Sequence, residues 1–296
     1  MATADAPTVP VAPHLAVPGS YEQVTKLARY QLREYLRSLR FIVLLGIVAI
    51  IGAIITTIVG YYHTTAASGL VSNTLAFYGS LWGGGVNAVV VLSAVFFGGD
   101  AIAGEFQNKT GYFLMGLPVR RTTVYLGKYI AAFLASCAML ALFLAILVGN
   151  GAAYFGVRLF PWQLGASVLL ALVYLGSVLG ATFLFSSLFK TSLYGFVLTL
   201  IMFLFGFSVL QGLIVGLVNI EPWMVISYAS TTMQSVFASP VNWGLTASVG
   251  HTMINGLSVG PRVYTAGVAE GVVIMVGYLL VTALAGLGLF EREEFA

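Results

Sequence analysis

The composition of this 296-residue chain places it in a membrane, because 59% of its residues are hydrophobic and only 8% are charged. Soluble domains carry about 25% charged residues, and so few polar side chains cannot cover an apolar core in water. Lipid must therefore be the solvent for much of the surface. The net charge of +3 is too small to indicate nucleic-acid binding, and we expect no nucleic-acid partner. The length fits one membrane domain.

The first residues, 1–20, are rich in Ala, Pro and Val and contain neither Lys nor Arg. A secretory signal needs a basic start and an unbroken apolar core, so we expect a disordered cytoplasmic tail instead. Residues 21–40 then place basic residues at intervals of three and four, which makes one stripe on a helix. The stripe consists of Lys26, Arg29, Arg33, Arg37 and Arg40. We predict an amphipathic interfacial helix that binds lipid headgroups, with a docking surface for a cytoplasmic partner as the alternative.

Six apolar runs are long enough to cross a bilayer, which takes about 20 helical residues. The predicted spans cover residues 41–60, 81–99, 124–147, 164–188, 193–217 and 270–291. A polar connection is expected before the second span, and the triplet Gly149-Asn150-Gly151 is expected to close the third. Because lipid forces each backbone to satisfy its own hydrogen bonds, we predict an all-α integral membrane fold with helices only.

The distribution of basic residues predicts the orientation of these spans. With the N-terminus inside and six spans, eleven of the 13 Lys and Arg residues lie on the cytoplasmic side. We therefore expect a multi-pass protein of the plasma membrane with both termini in the cytoplasm, including a tail at residues 291–296. Residues 218–266 are moderately apolar but carry Pro222, Pro240 and Pro261. We expect this segment to be external or re-entrant rather than a seventh span.

Several kinds of chemistry are missing from the sequence. The chain contains no GxxxxGK[ST] phosphate loop, no HExxH pair and no GxSxG nucleophile motif. Its single cysteine, Cys137, lies in an apolar run, and no Cys or His spacing suggests a metal site. The predicted spans also carry no ionisable residue near the midplane that could relay ions. We expect no enzyme activity and no cofactor on this chain, and an external energy source for any uphill transport.

The strongest signal is the polar loop that follows the second span, residues 100–123. We predict that Asp100 caps a short amphipathic helix, that Pro118 breaks this helix, and that Thr122 or Thr123 caps the third span. The apolar positions of this short helix are Ile102, Phe106, Tyr112, Phe113 and Leu114. On physical grounds alone, a membrane-surface loop without a partner is an open alternative.

The order of residues in this loop carries a family resemblance. An Asp precedes an aliphatic residue and a Glu, then come a Thr-Gly pair, a Leu-Pro-Val-x-Arg stretch and a Gly-Lys pair. The residues are Asp100, Ile102, Glu105, Thr110, Gly111, Leu117, Pro118, Val119, Arg121, Gly127 and Lys128. This pattern resembles the membrane subunits of ABC transporters in the exporter class called type 2. The amphipathic start, the six spans and the long segment before the last span are also similar to that family.

The resemblance implies a permease domain over residues 41–290 that forms a translocation pathway as a dimer of six-span halves. The second half would be the same chain or a paralogue, and ATP and Mg²⁺ would bind separate ATP-binding subunits. In this family the short helix after the second span couples the permease to the ATPase. The implied coupling-loop residues are Asp100, Ile102, Glu105, Phe106, Thr110, Gly111, Pro118 and Arg121, with Asp100, Glu105 and Phe106 in the contact zone. A structural subunit of a larger membrane complex and a secondary transporter or channel remain the alternatives.

Overall fold

A computed structural model describes residues 19–65, 74–108, 119–156, 161–254 and 257–292. Within these ranges the chain forms helices and one β-hairpin. The helices are α1 Ser20–Arg37, α2 Leu39–Thr65, α3 Thr74–Gly98, α4 Ala103–Gln107, α5 Arg121–Phe155, α6 Trp162–Leu188, α7 Ser192–Val218, α8 Ile226–Ala229, α9 Thr232–Ser235 and α10 Val268–Arg292. The strands are β1 Ser248–Ile254 and β2 Leu257–Thr265.

Six of these helices, α2, α3, α5, α6, α7 and α10, are long and apolar enough to cross a membrane. The predicted all-α membrane fold with six spans is therefore confirmed. The spans alternate in direction, so the bundle has two ends. The loop end holds α4 and the turn between α6 and α7, and the hairpin end holds residues 219–267.

The spans differ greatly in how far the chain itself buries them. In α3, 78% of the most apolar stretch is buried inside the protein, and in α6 the share is 67%. The same share is 22% in α2, 17% in α10 and only 6% in α7. Thus α3 and α6 form the core of the bundle, while α7 lies at its edge. Two turns of α7, Met202–Gly206 and Ile214–Val218, are π-helical.

The third span does not end where the glycines predicted. Helix α5 continues through Gly149-Asn150-Gly151 to Phe155. The Asn150 side chain donates hydrogen bonds to Thr56 Oγ1 of α2 at 2.9 Å and to the Ile146 carbonyl at 3.0 Å. A Cβ on Gly151 would lie 2.0 Å from the hydroxyl of Tyr78, so this glycine lets α3 approach. The triplet therefore lies inside the helix and contributes to its packing against α2 and α3. The prediction that it ends the third span was wrong.

The N-terminal helix is shorter than predicted, because α1 ends at Arg37 and Ser38 adopts an extended conformation (φ −73°, ψ 148°). Arg40 therefore belongs to α2 and not to the interfacial helix. Ala28 and Tyr35 of α1 are buried, and α1 packs along α5. The remaining basic residues of the stripe are exposed and project away from this contact: Lys26, Arg29, Arg33 and Arg37.

The segment before the last span contains no span-length helix among its described residues, as predicted. The short helices α8 and α9 pack against α3, α6 and α10, and Ile226, Met233 and Val236 are fully buried there. The one described element that is not helical lies in this segment, where β1 and β2 form an antiparallel hairpin that pairs Ser248 with Thr265. A hairpin satisfies its inner backbone groups across the two strands without forming a helix. The second span also begins earlier than predicted, at Thr74.

Candidate functional site

The loop that follows α3 is held against α6 by one serine. The hydroxyl of Ser186 accepts hydrogen bonds from the amides of Ile102 at 3.0 Å and Ala103 at 3.1 Å. These amides stand at the start of α4, where a helix has no internal acceptors for them. Ser186 therefore supplies the acceptor that was predicted from Asp100, and the predicted cap is wrong. Ile102 itself is fully buried.

Asp100 instead joins three parts of the bundle. Its Oδ2 atom accepts a hydrogen bond from Arg40 Nη1 of α2 at 2.5 Å and another from Ser192 Oγ of α7 at 2.8 Å. The Asp100 side chain is 11% exposed, while that of Arg40 is 51% exposed. A second contact supports the same junction, because the Ser192 amide donates to Gln107 Oε1 of α4 at 2.8 Å. The loop is thus fastened to the first residues of both α2 and α7.

A buried ion pair fastens the loop to α5. Lys128 Nζ donates to the carbonyl of Ala101 at 2.9 Å and makes a short ion pair with Glu105 of α4. The two side chains are 7% and 14% exposed, so water screens the pair little. A buried charge that loses its partner destabilises the folded protein, so the Lys128 ammonium and the Glu105 carboxylate stabilise the fold only as a pair.

The last turn of α10 completes the loop end. The Phe106 ring of α4 meets Phe290 edge to face, with centroids 6.4 Å apart. Arg121 Nη1 of α5 donates to the Glu291 carbonyl at 2.8 Å, and Thr122 Oγ1 donates to the Glu291 carboxylate at 3.3 Å. Neither predicted threonine caps α5, since no side chain caps its first turn and Thr122 bonds to α10 instead.

Tyr35 connects α1 to the same end of the bundle. Its hydroxyl donates to the carbonyl of Phe97 at 3.1 Å, near the end of α3. Burial, and after it the negative charge of Asp100, raise the pKa of Tyr35 above its ordinary value. The hydroxyl therefore stays protonated and serves as a permanent hydrogen-bond donor to α3.

The structure brings five of the predicted loop residues into one network: Asp100, Ile102, Glu105, Phe106 and Arg121. The other three, Thr110, Gly111 and Pro118, lie outside the described residues. Sequence reasoning missed Ser186 and Ser192, which hold the loop from α6 and α7. It also assigned Arg40 to lipid, although Arg40 pairs with Asp100. These partners are serines and an arginine far away along the chain, and no local motif marks them.

Gly195 makes the contact between α7 and the loop possible, and it gives a test of that contact. A Cβ at Gly195 would lie 2.8 Å from the Gly99 carbonyl, which is backbone and cannot rotate away. We expect Gly195→Ala to lower stability in detergent by about 1 to 3 kcal/mol, because overpacking forces the two elements apart. Thermal unfolding of the purified protein measures this loss. Gly212→Ala is the matched control, since a Cβ there meets nothing within 4 Å; equal losses in both variants would contradict the close contact.

The described residues offer no site for a metal ion, since no group of three or more His, Cys, Asp or Glu side chains comes together among them. They also hold no phosphate-binding loop motif of the GxxxxGK[ST] type. The basic side chains that the structure describes all lie at the loop end: Lys26, Arg29, Arg33, Arg37, Arg40, Arg120, Arg121, Lys128, Lys190 and Arg292. The site is therefore a polar network that connects a short surface helix to several spans.

This architecture defines the class of the protein as a multi-pass membrane protein with a short loop helix that is bound to the spans around it. Comparison with known families is consistent with this class and gives the particular family. The sequence profile described as "ABC-2 family transporter protein" matches residues 25–295. The chain therefore belongs to the ABC-2 transporter family and is a membrane permease of an ABC transporter, as the loop residues predicted. No curated protein matches the chain.

Proposed function

We propose that this permease is an exporter half that is driven by ATP hydrolysis on a separate ATP-binding subunit, which docks at the loop end. One observation carries the proposal: the loop and α4 are bound to four spans at once. Arg40 connects them to α2, Lys128 to α5, Ser186 to α6 and Ser192 to α7. A displacement of α4 by a docked partner would therefore reach most of the bundle. The family itself implies an ATP-binding partner.

The network also suggests which coupling residues stabilise the loop and which contact the ATP-binding subunit. The side chains of Asp100 and Glu105 are mostly buried and are occupied by ion pairs within the bundle. We therefore propose that they stabilise the conformation of the loop. The exposed residues on either side of the loop, Gln107, Asn108 and Arg120, supply the surface for direct contact. Phe106, which is partly buried against Phe290, lies between the two groups.

A photo-crosslinking experiment tests the docking surface. We expect a photoreactive amino acid at Asn108 to capture an ATP-binding subunit when the complex is irradiated in native membranes. The same amino acid at Leu217, which is 79% exposed at the hairpin end, is the control and should capture none. Capture of an unrelated protein from Asn108, with no ATP-binding subunit, would contradict the docking surface.

The proposal includes a second permease half, which is the same chain or a paralogue, because the family resemblance implies a dimer of six-span halves. The burial of the spans is consistent with this, since α7 is only 6% buried within the chain. Its exposed side chains are mostly apolar and include Leu193, Val209 and Leu217. In lipid such a face is stable without a partner, so the face itself does not carry the dimer.

We further propose that the loop end faces the cytoplasm of a cell whose plasma membrane holds the protein. All basic side chains that the structure describes lie at that end, as the positive-inside rule requires of a cytoplasmic surface. The exposed stripe on α1 would then lie at the level of anionic lipid headgroups on the same side. Both chain termini are cytoplasmic in this orientation.

Cysteine labelling tests the orientation in a background that carries Cys137→Ser. We expect an impermeant maleimide to label Leu245→Cys in intact cells, because Leu245 is 67% exposed at the hairpin end. Gln107→Cys, which is exposed at the loop end, should react only after the cells are opened. The reverse pattern of labelling would show that the protein is inserted the other way.

A further inference from the structure

The hairpin end carries exposed aromatic side chains that the coupling proposal does not use. Three of the four tryptophans of the chain lie there: Trp162 begins α6, Trp223 precedes α8, and Trp243 precedes β1. Their exposed fractions are 60%, 55% and 53% in that order. The fourth tryptophan, Trp82 of α3, is fully buried. The three exposed rings are therefore free to contact something other than this chain.

The surface around Trp223 continues the membrane-facing side of α7. The exposed apolar side chains of α7 extend to its last turn, and along the chain the series goes on beyond the end of the helix. We call this series the apolar edge, and its residues are Leu217, Val218, Ile220, Trp223 and Met224. Because α7 is a span that its own chain hardly buries, lipid contacts its outer side. The apolar edge is thus continuous with a surface that faces lipid.

The single charged residue in this stretch of chain does not face outward freely. Glu221 is the only charged residue between positions 217 and 224, and it is only partly exposed. Its Oε1 atom accepts a hydrogen bond from the hydroxyl of the buried Tyr228 at 2.6 Å. A contiguous exposed apolar surface of this kind marks an interaction site.

A contact with α7 shows that the chain beyond the span turns back toward the membrane. Residues 221–237, here called the short-helix segment, contain α8 and α9. Ser227 Oγ donates to Gln211 Oε1 of α7 at 2.8 Å, and Gln211 lies 7 residues before the end of α7 at Val218. At a rise of 1.5 Å per residue, this contact lies about 10 Å below the end of the span.

A contact with α10 gives a similar depth. The Tyr278 hydroxyl donates to the Met224 carbonyl, and Tyr278 lies 10 residues after the start of α10 at Val268. This is about 15 Å along the helix, and a helical side chain leans back toward the helix start. Helices α7 and α10 have 27 and 25 residues, so they exceed the hydrocarbon core of about 30 Å by about 10 Å. With about half of that excess at each end, the short-helix segment lies just below the headgroups.

Two stacked tryptophans hold the other end of this region near the start of a span. The rings of Trp162 and Trp243 are 5.8 Å apart between centroids, with an interplanar angle of 12°. Trp162 is the first residue of α6, so the stack lies at the border of the membrane. Tryptophan favours this level because its ring is apolar while its N–H group bonds to headgroups and water.

We propose that the apolar edge is a lipid-binding surface that holds the short-helix segment in the leaflet on the hairpin side. Phospholipid is the occupant: its acyl chains contact Trp223 and Met224, and its headgroups lie at the level of the stacked tryptophans. Lipid is favoured over a second permease half because the edge continues a face of α7 that is stable in lipid without a partner. The surface depends neither on the coupling proposal nor on the orientation of the protein.

Quenching of tryptophan fluorescence by brominated lipid tests this surface in the full chain. A variant that keeps only Trp223, with phenylalanine at the other three tryptophan positions, is reconstituted into vesicles of phosphatidylcholine brominated near the headgroup end of its acyl chains. We expect Trp223 to lose most of its fluorescence there, to lose less in lipid brominated near the chain ends, and to respond little to iodide in the water. Quenching by iodide alone would place the segment in water, and quenching by neither probe would show that protein covers Trp223. Either result, or stronger quenching by the deeper bromine, would overturn the proposal.

The other tryptophans provide matched controls. A variant that keeps only Trp82 should respond little to either bromine or iodide, because this ring is fully buried in the bundle. Trp162 and Trp243, at the membrane border, should respond to both. Trp223→Phe in the otherwise unchanged chain covers the case in which a single-tryptophan variant folds poorly, and it should reduce the share of the fluorescence that bromine quenches and iodide does not. An unchanged share in this variant would also overturn the proposal.

Discussion

Replacing Lys128 with methionine is expected to cost about 3 kcal/mol of folding stability, since the loss of one partner leaves a charge buried at a site made for a pair. The substitution keeps the volume of the side chain but takes the ammonium away from the Glu105 carboxylate, which is 14% exposed. It also removes the donor to the Ala101 carbonyl. Thermal or denaturant-induced unfolding of the purified protein measures the loss.

Two further variants show whether the loss comes from the buried charge. Lys128→Met combined with Glu105→Gln removes both charges and should recover most of the lost stability, because a neutral pair is not penalised in the same way. Lys26→Met is the surface control, since Lys26 and its partner Glu22 are 66% and 57% exposed, and such a pair is worth about 0.5 kcal/mol or less. If Lys128→Met cost no more than Lys26→Met, the ion pair would not hold the loop.

Replacing Asp100 with alanine is expected to separate transport from assembly. The alanine removes the acceptor that Arg40 and Ser192 share, so the loop would no longer hold α2 and α7 together. Because half of Arg40 is exposed, we expect little loss of folding stability. Residues that connect two sites change the coupling between them by about 0.5 to 2 kcal/mol, so we expect ATP-dependent activity of the complex to fall by about tenfold. The ratio of activity to the amount of bound ATP-binding subunit is the quantity to measure.

Matched variants narrow the cause of this loss. Asp100→Asn keeps an acceptor for Ser192 but loses the charge that pairs with Arg40, so its activity should lie between those of wild type and Asp100→Ala. Arg37→Ala removes a neighbouring exposed arginine outside the network and should leave activity unchanged. Wild-type activity in Asp100→Ala would contradict the role of the junction. Loss of the bound ATP-binding subunit would instead assign Asp100 to the docking surface.

The spans were predictable because lipid imposes one simple requirement on the sequence. An α-helix of about 20 apolar residues is the only structure in which a single segment can cross a bilayer with all its backbone hydrogen bonds satisfied. Each apolar run of that length in the sequence therefore predicts one span. The same requirement explains the error at Gly149-Asn150-Gly151. Glycine and asparagine end helices readily in water, but in α5 the polar side chain of Asn150 finds partners within the bundle.

The loop was located by its motif, whereas its internal contacts were not predictable. Asp100 looks like a helix cap when it is read beside its sequence neighbours. Its actual partners are 60 residues away at Arg40 and 92 residues away at Ser192. Similarly, the Ser186 hydroxyl that accepts from Ile102 is 84 residues away. Contacts of this kind depend on how the spans pack, and one sequence carries no periodic signal for them.

The most direct test of the central claim is to purify the protein in mild detergent from its native membrane and to identify by mass spectrometry the proteins that stay bound. An ATP-driven permease should retain an ATP-binding subunit with a phosphate-loop motif in stoichiometric amount, and the purified complex should hydrolyse ATP. The protein alone, or a complex with membrane proteins that contains no ATP-binding subunit, would contradict the claim.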